Sequence, residues 1–386
     1  MNIVIISDSF KGAVTSREAH IAIAAGVRRA LPHSKITEIP VADGGEGTVD
    51  AMLAAAGGDF THATVCGVFP GEQVEASFGF IDSHTAVVEM AACAGLPLAE
   101  GRKDTTATTT FGVGELIRAA VDAGATHVVV GAGGSATTDL GCGAASALGV
   151  SFLNTDGEEF VPVGGTLKDV AAIDTSRAEG FLAGVSITVM SDIDNPLVGP
   201  TGAAHVFGPQ KGADRATVDA LDAGLTQVAE TIHRDLGLEI ANVPGAGAAG
   251  GLAGGLMAFC GAEIRPGIDV VLDAVNFPSV IADADLVITG EGQIDGQSLA
   301  GKVPVGVARW SLRHRNGELP VVVLAGSVGA DVDRVYAEGV TAVFPIGRTP
   351  GRLEDAIART RENLEAAAQN VVRLIALAAQ PRDQRP

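Results

Sequence analysis

The stretch DLVITGEGQIDGQSLAGKVPVGVAR, residues 285–309, decides how this chain reads. Residues 286–289 form a short apolar run of the kind that makes a buried strand, and the run ends in Gly290-Glu291-Gly292. Glu291 and Asp295 then stand among glycines, with Ser298, Gly301 and Lys302 close behind. Pro304 suits the first turn of a helix. The order is therefore strand, polar glycine-rich loop, helix. Open α/β sheets bind their ligands just beyond the carboxyl ends of such strands, and three glycines with two acids exceed what a tight turn needs.

The same order recurs along the chain. Residues 3–6 are a continuous apolar run that passes into Ser7-Asp8-Ser9-Phe10-Lys11-Gly12. Thr15 with Glu18 predicts a capping box and a helix to about Leu31, which leaves Lys11 in a strand-to-helix loop suited to meeting a phosphate. A second strand over 36–41 leads into Asp43-Gly44-Gly45-Glu46-Gly47-Thr48 and a helix over about 49–56. Repetition of this unit predicts a parallel sheet with its loops gathered on one edge. Residues 74–80 alternate in polarity and 87–90 are apolar, a hairpin pair that predicts a change of sheet type.

A threonine-rich run, 103–110, enters a helix over 112–123. The strand at 127–130 then meets GAGGSATTD, 131–139. Gly133 and Gly134 let backbone N–H groups approach a ligand, Ser135, Thr137 and Thr138 add hydroxyls, and Asp139 adds a charge. Such a loop is like a phosphate-binding nest, although it has neither the GK[ST] of a P-loop nor the spacing of a dinucleotide fingerprint. Residues 187–190 form a strand that ends at Asp192 and Asp194, Lys211 follows near Gly212, and a helix covers 215–236. The small-sided run 245–255 either packs tightly or lines a ligand, and 269–281 read as a mostly helical connection. Strands at 320–325 and 341–346 precede one amphipathic helix, marked by Leu353, Ile357, Thr360, Leu364, Ala368, Val371 and Ile375.

Bulk properties narrow the function. The chain has 386 residues, room for two domains. With 46 Asp and Glu against 26 Lys and Arg, the net charge is −20. That argues against nucleic acid or an anionic membrane as partner, while local lysines can still receive a small anion. The four cysteines have no metal-ligand spacing and read as reduced thiols of a cytoplasmic protein. No secretory leader pattern and no membrane span is read. Glycine is abundant, 51 residues without a fixed period, as expected of many turns and close backbone approaches.

Six segments, in order across nearly the whole chain, together resemble the bacterial-type glycerate kinase family (glycerate kinase type 1). They are DSFKG at 8–12, DGGEGT at 43–48, GAGGSATTD at 131–139, SDIDNPLVGPTGA at 191–203, FGPQKGA at 207–213 and ITGEGQIDGQSLAGKVPVGVA at 288–308. One position departs from the pattern: two glycines usually follow the Asp, whereas here Leu140 precedes Gly141. That difference bears on substrate preference rather than on fold.

The resemblance implies an α/β chain of two domains with the active site in the cleft. A Rossmann-like parallel-sheet domain, 1–80 with 275–386, would be interrupted by an inserted mixed α/β domain, 81–274. It implies phosphorylation of D-glycerate by ATP with Mg²⁺, mostly to 2-phosphoglycerate. Such a transfer needs positioning and charge neutralisation, and magnesium takes one or two carboxylates plus phosphate oxygens and water. Asp192, Glu291 and Asp295 are the candidate metal ligands, with Asp43 and Asp8 also in view. Asp192, then Asp295, would orient or deprotonate the glycerate hydroxyl. Lys11, Lys211 and Lys302 would meet phosphate oxygens or the substrate carboxylate. Asp43, Glu46, Gly133, Gly134, Ser135, Thr137, Glu291 and Ser298 complete the expected binding groups. Phosphorylation at the 3-hydroxyl, a kinase for another small hydroxy acid, and a non-catalytic anion-binding protein stay open as alternatives, as does association with copies of the same chain.

Overall fold

A computed structural model describes residues 1–41 and 44–379; Asp43 lies outside the described residues. The chain divides into two compact units, Met1–Ala42 with Ile268–Pro386, and Asp43–Gly267. The sequence places these breaks near 80 and 275. Residues 44–80 join the second unit because the strand Gln73–Phe80 pairs with Thr85–Glu89 on one side and Asp59–Cys66 on the other. This hairpin ribbon is anchored by Thr85–Glu89, which pairs in parallel with His127–Gly131, a non-local pairing that no composition shift marks.

The first unit holds a five-stranded, wholly parallel sheet in the order Ala342–Pro345, Val321–Val328, Leu286–Ile294, Asn2–Ile5, Lys35–Glu38. Parallel strands are covered on both faces, so their inner members read as unbroken apolar runs. Ile3, Ile5, Leu286, Ile288 and Leu324 pack against Ile23 and Val27 of the helix Ser16–Ala30. The expected capping box starts that helix: Thr15 N–H donates to Glu18 Oε2 at 2.9 Å and Glu18 N–H to Thr15 Oγ1 at 3.3 Å. The expected C-terminal helix is two, Leu353–Ala358 and Thr360–Ala379, and Leu353 is exposed. Its buried residues, Leu364, Ala368, Val371 and Val372, join the same core.

The strand Leu286–Ile294 does not stop at Gly290. It continues beside Val321–Val328, pairing Gly290 with Leu324 and Glu291 with Ala325. A Cβ on Gly290 would stand 2.4 Å from the Leu324 carbonyl oxygen, so glycine here permits a close strand rather than ending one.

The second unit contains a six-stranded mixed sheet in the order Glu263–Arg265, Ser186–Met190, His127–Gly131, Thr85–Glu89, Gln73–Phe80, Asp59–Cys66. Its first four strands are parallel and the last two antiparallel, which is the change of sheet type that the alternation at 74–80 predicts. A small antiparallel sheet of Glu159–Phe160, Ser151–Leu153 and Ala172–Asp174 stands beside it. The small-sided run 245–255 packs rather than opening a cavity. A Cβ on Gly250 would meet the Thr137 oxygen at 1.9 Å, and one on Gly255 the Leu140 oxygen at 1.9 Å. Leu140 itself is in the left-handed region, φ 54°, with its side chain wholly buried.

Candidate active site

Two polar clusters form, one in each unit, and both sit where parallel strands end. In the first unit the Asp8 N–H donates to the Gly290 oxygen at 2.9 Å, and the backbone of Phe10 and Lys11 lies against Gly292. This brings the loop carrying Asp8 and exposed Lys11 to the end of the Leu286–Ile294 strand. Glu291 is buried there. It accepts a hydrogen bond from Ser298 Oγ at 2.8 Å and pairs with Lys302 Nζ at 3.3 Å. Burial raises the Glu291 carboxyl above its usual range; Ser298 and Lys302 oppose the rise, and the nearby charge of Asp8 adds to it.

Asp295 has a different local role. Its carboxylate accepts from the Gln297 N–H at 2.9 Å and from Gln293 Nε2 at 2.7 Å, and Ser298 Oγ accepts from the Asp295 N–H at 3.3 Å. It therefore caps the turn Gly296–Ala300. The Gln293 hydrogen bond is the chief reason that its carboxyl lies below the usual range, which makes it a weaker proton acceptor.

In the second unit Glu89, Gly131 and Met190 are in register across three adjacent strands. The loops that follow thus leave one edge of one sheet. Gly133 N–H donates to the Gly44 oxygen at 2.7 Å, and a Cβ on Gly133 would be 2.5 Å from Gly45 Cα. Much of the glycine in DGGEGT and GAGGSATTD thus serves contact between the two loops. The Gly133 amide faces Gly44, and the Ala136 amide bonds to the Ala94 oxygen at 2.9 Å, so neither belongs to an open nest. Gly134 and Glu46 are exposed.

Lys211 is 2% exposed, and its Nζ donates to Ser135 Oγ at 2.7 Å and to the Thr137 oxygen at 2.6 Å. Burial brings its ammonium down to about 7, against the opposing pull of Asp139. Asp139 is fully buried and accepts from Thr110 N–H at 2.7 Å, Thr110 Oγ1 at 2.8 Å and the Gly141 N–H at 3.1 Å. The threonine-rich run has its explanation here, because Thr105 bonds Thr138 Oγ1 and Thr108 bonds the Ala136 oxygen. Thr137 Oγ1 is buried without a hydrogen-bond partner. Asp192 is half-buried, with Oδ1 accepting from the Gly267 N–H at 2.8 Å.

Glu89 was not among the residues expected of the site. An acid at the end of an apolar strand, TAVVE, is the one signal that could have marked it. Among the described residues no three His, Cys, Asp or Glu gather closely enough to hold a metal by themselves, and no helix is long and apolar enough to cross a membrane. A cavity of about 360 Å³ bordered by Cys66, Phe111 and Glu115 shares no residue with either cluster.

Comparison with known proteins gives a consistent result. Residues 3–376 match the profile of the glycerate kinase family. A glycerate kinase of Bacillus subtilis (strain 168) is 44% identical over 380 residues, covering 98% of each chain. A glycerate 2-kinase of Escherichia coli (strain K12) is 44% identical over 379 residues, again 98% of each. A crystal structure of a Salmonella typhimurium LT2 protein assigned as glycerate kinase 2 aligns with TM-score 0.82 at 42% identity, over 99% of this chain and 100% of that one.

Proposed function

This chain belongs to the glycerate kinase family, and from that premise we propose that it moves the γ-phosphoryl group of ATP to the 2-hydroxyl of D-glycerate, giving 2-phospho-D-glycerate and ADP. Glycerate kinase activity, with ATP as co-substrate, comes with membership. The position of the phosphate rests on one observation, the full-length relative of E. coli named a glycerate 2-kinase.

In this reading the C2 oxygen attacks Pγ while the bond from Pγ to the departing ADP oxygen breaks, and the hydroxyl proton passes to a carboxylate. Asp192 is assigned that proton: it stands just past a buried strand, and the Gly267 amide fixes one of its oxygens. Asp295 is second, because its carboxylate is committed to capping a turn. Lys11, Lys211 and Lys302 supply the positive charge that anionic glycerate and nucleotide phosphates need at a protein of net charge −20. An anion beside the 133–137 loop would favour the charged form of Lys211, whose ammonium burial otherwise disfavours. Ser135, Thr137 and Ser298 offer hydroxyls, and Asp43 and Glu46 belong to the acidic glycine loop.

Magnesium, when bound, neutralises charge on the β- and γ-phosphates. Its preference for one or two protein carboxylates fits the residues present: Glu291 with Asp8 close by, or Asp192 or Asp295 singly, would hold an ion that arrives with the nucleotide. A cytoplasmic setting suits the four unpaired cysteines.

Phosphorus NMR of the reaction mixture tests the product directly. A phosphate on C2 couples to one proton and gives a doublet, as expected here. A phosphate on C3 couples to two and gives a triplet, which would move the assignment to the 3-hydroxyl and leave the kinase intact. Hydroxy acids other than D-glycerate, run in parallel, check the substrate.

A further inference from the structure

We propose that Glu89 is a positioning residue for phosphoryl transfer: from the end of a buried strand its carboxylate holds the backbone of the 44–49 loop and thereby sets where Glu46 and the 133–137 loop stand. This rests on the reading that those loops face the substrates.

The helix Thr48–Ala56 begins at Gly47, which is left-handed, φ 87°, and has no side chain with which to cap it. Helix N-termini leave amide groups without intrahelical partners, and the first residue outside the helix usually satisfies one with a side-chain oxygen. Here the acceptor comes from another element. Glu89 Oε1 accepts from the Val49 N–H at 2.5 Å and Oε2 from the Gly47 N–H at 3.2 Å. Glu89 is 8% exposed, and a negative charge at this end of a helix is favoured by the peptide dipoles.

Glu89 is also in register with Gly131, at the root of the second loop. That loop touches the first through Gly133 N–H to Gly44 O at 2.7 Å. One side chain thus fixes a loop that in turn abuts its neighbour. Glu46 directly precedes Gly47, whose N–H the carboxylate holds, and burial, opposed by these amide hydrogen bonds, raises the Glu89 carboxyl above its usual range. No substrate need touch Glu89 for this to operate.

The test separates positioning from plain stability. Glu89→Gln keeps the shape but turns one acceptor oxygen into an amide donor facing an N–H. Loosened loops present binding groups poorly, so KM for ATP or for D-glycerate should rise about tenfold or more, with kcat of the folded enzyme within about threefold and substantial folded protein. A lower melting temperature with both KM values unchanged would overturn the proposal, since a purely structural residue alters how much enzyme is folded and not how the folded enzyme binds. Should Glu89→Gln not fold, Glu89→Asp keeps the charge one methylene short and is judged by the same split. Wild-type protein assayed alongside reports on the function itself: absence of glycerate-dependent ADP release there refutes the kinase reading, whereas a normal wild type with unchanged KM in the variant refutes only the role of Glu89.

Discussion

At the scale of single residues, two acids that look alike in sequence differ in surroundings. Asp192 has one oxygen on the Gly267 amide, while Asp295 accepts from Gln293 and Gln297 as a turn cap. Asp192→Asn should therefore lower turnover about 10²-fold or more, the scale of general-base assistance, with little change in melting. Asparagine caps about as well as aspartate, so Asp295→Asn should melt normally and keep turnover within about tenfold. The reverse ranking in steady-state assays would transfer the base role to Asp295. His20 gives a pH prediction. It is 1% exposed, its Nε2 accepts the Ser7 N–H at 3.0 Å, and burial holds it down to about 4 against an ordinary 6.5. The unfolded chain binds the extra proton between those values, so stability is full above 6.5 and is lost as pH falls toward 4, by about 3 kcal/mol. Urea unfolding from pH 7 to 4 should show this loss in the wild type and a flatter dependence in His20→Gln, whose side-chain oxygen accepts the same N–H without titrating. The sequence identified Lys211 and Glu291 as notable. It did not show that Lys211 would be buried against Ser135, because residues 76 apart meet only through the fold.

At the scale of elements, periodicity located helices well and their ends less well. The stepping apolar residues from 353 onward read as one helix, yet the chain breaks it at Arg359 and leaves Leu353 exposed. The helix Thr360–Ala379 is held by close approach to Ser16–Ala30, where a Cβ on Gly26 would come within 2.1 Å of the Glu365 carbonyl oxygen. Alanine in a helix interior gains roughly 0.5–1 kcal/mol over glycine, but a backbone clash of this size forces the helices apart. Gly26→Ala should destabilise the protein by about 1–3 kcal/mol, seen as a lower denaturation midpoint. An unchanged or higher midpoint would show that the two helices separate without cost. One strand end differs from its sequence pattern for a related reason. Gly290 looks like a terminator and is instead the residue that lets Leu286–Ile294 lie beside Val321–Val328.

At the scale of the whole molecule, each unit carries its own cluster, and no close group of three potential metal ligands occurs among the described residues. A divalent ion that depends on nucleotide phosphates should be needed for turnover and not for folding. Chelation with EDTA should abolish ADP release while leaving the melting temperature of the nucleotide-free protein unchanged; a large fall in melting would point to a structural ion instead. Sequence by itself determined the α/β class, the buried parallel strands, the capped first helix and the polar loops, because these follow from apolar runs, local spacing and motifs carried on contiguous residues. Tertiary structure alone decided that 44–80 belongs to the second unit, that Gly133 meets Gly44 and Gly45, and that Glu89 caps a helix begun by Gly47. Those outcomes depend on contacts and strand pairings between residues about 40 or more apart in the chain; they are set by the global packing of the sheets, and no local pattern encodes them.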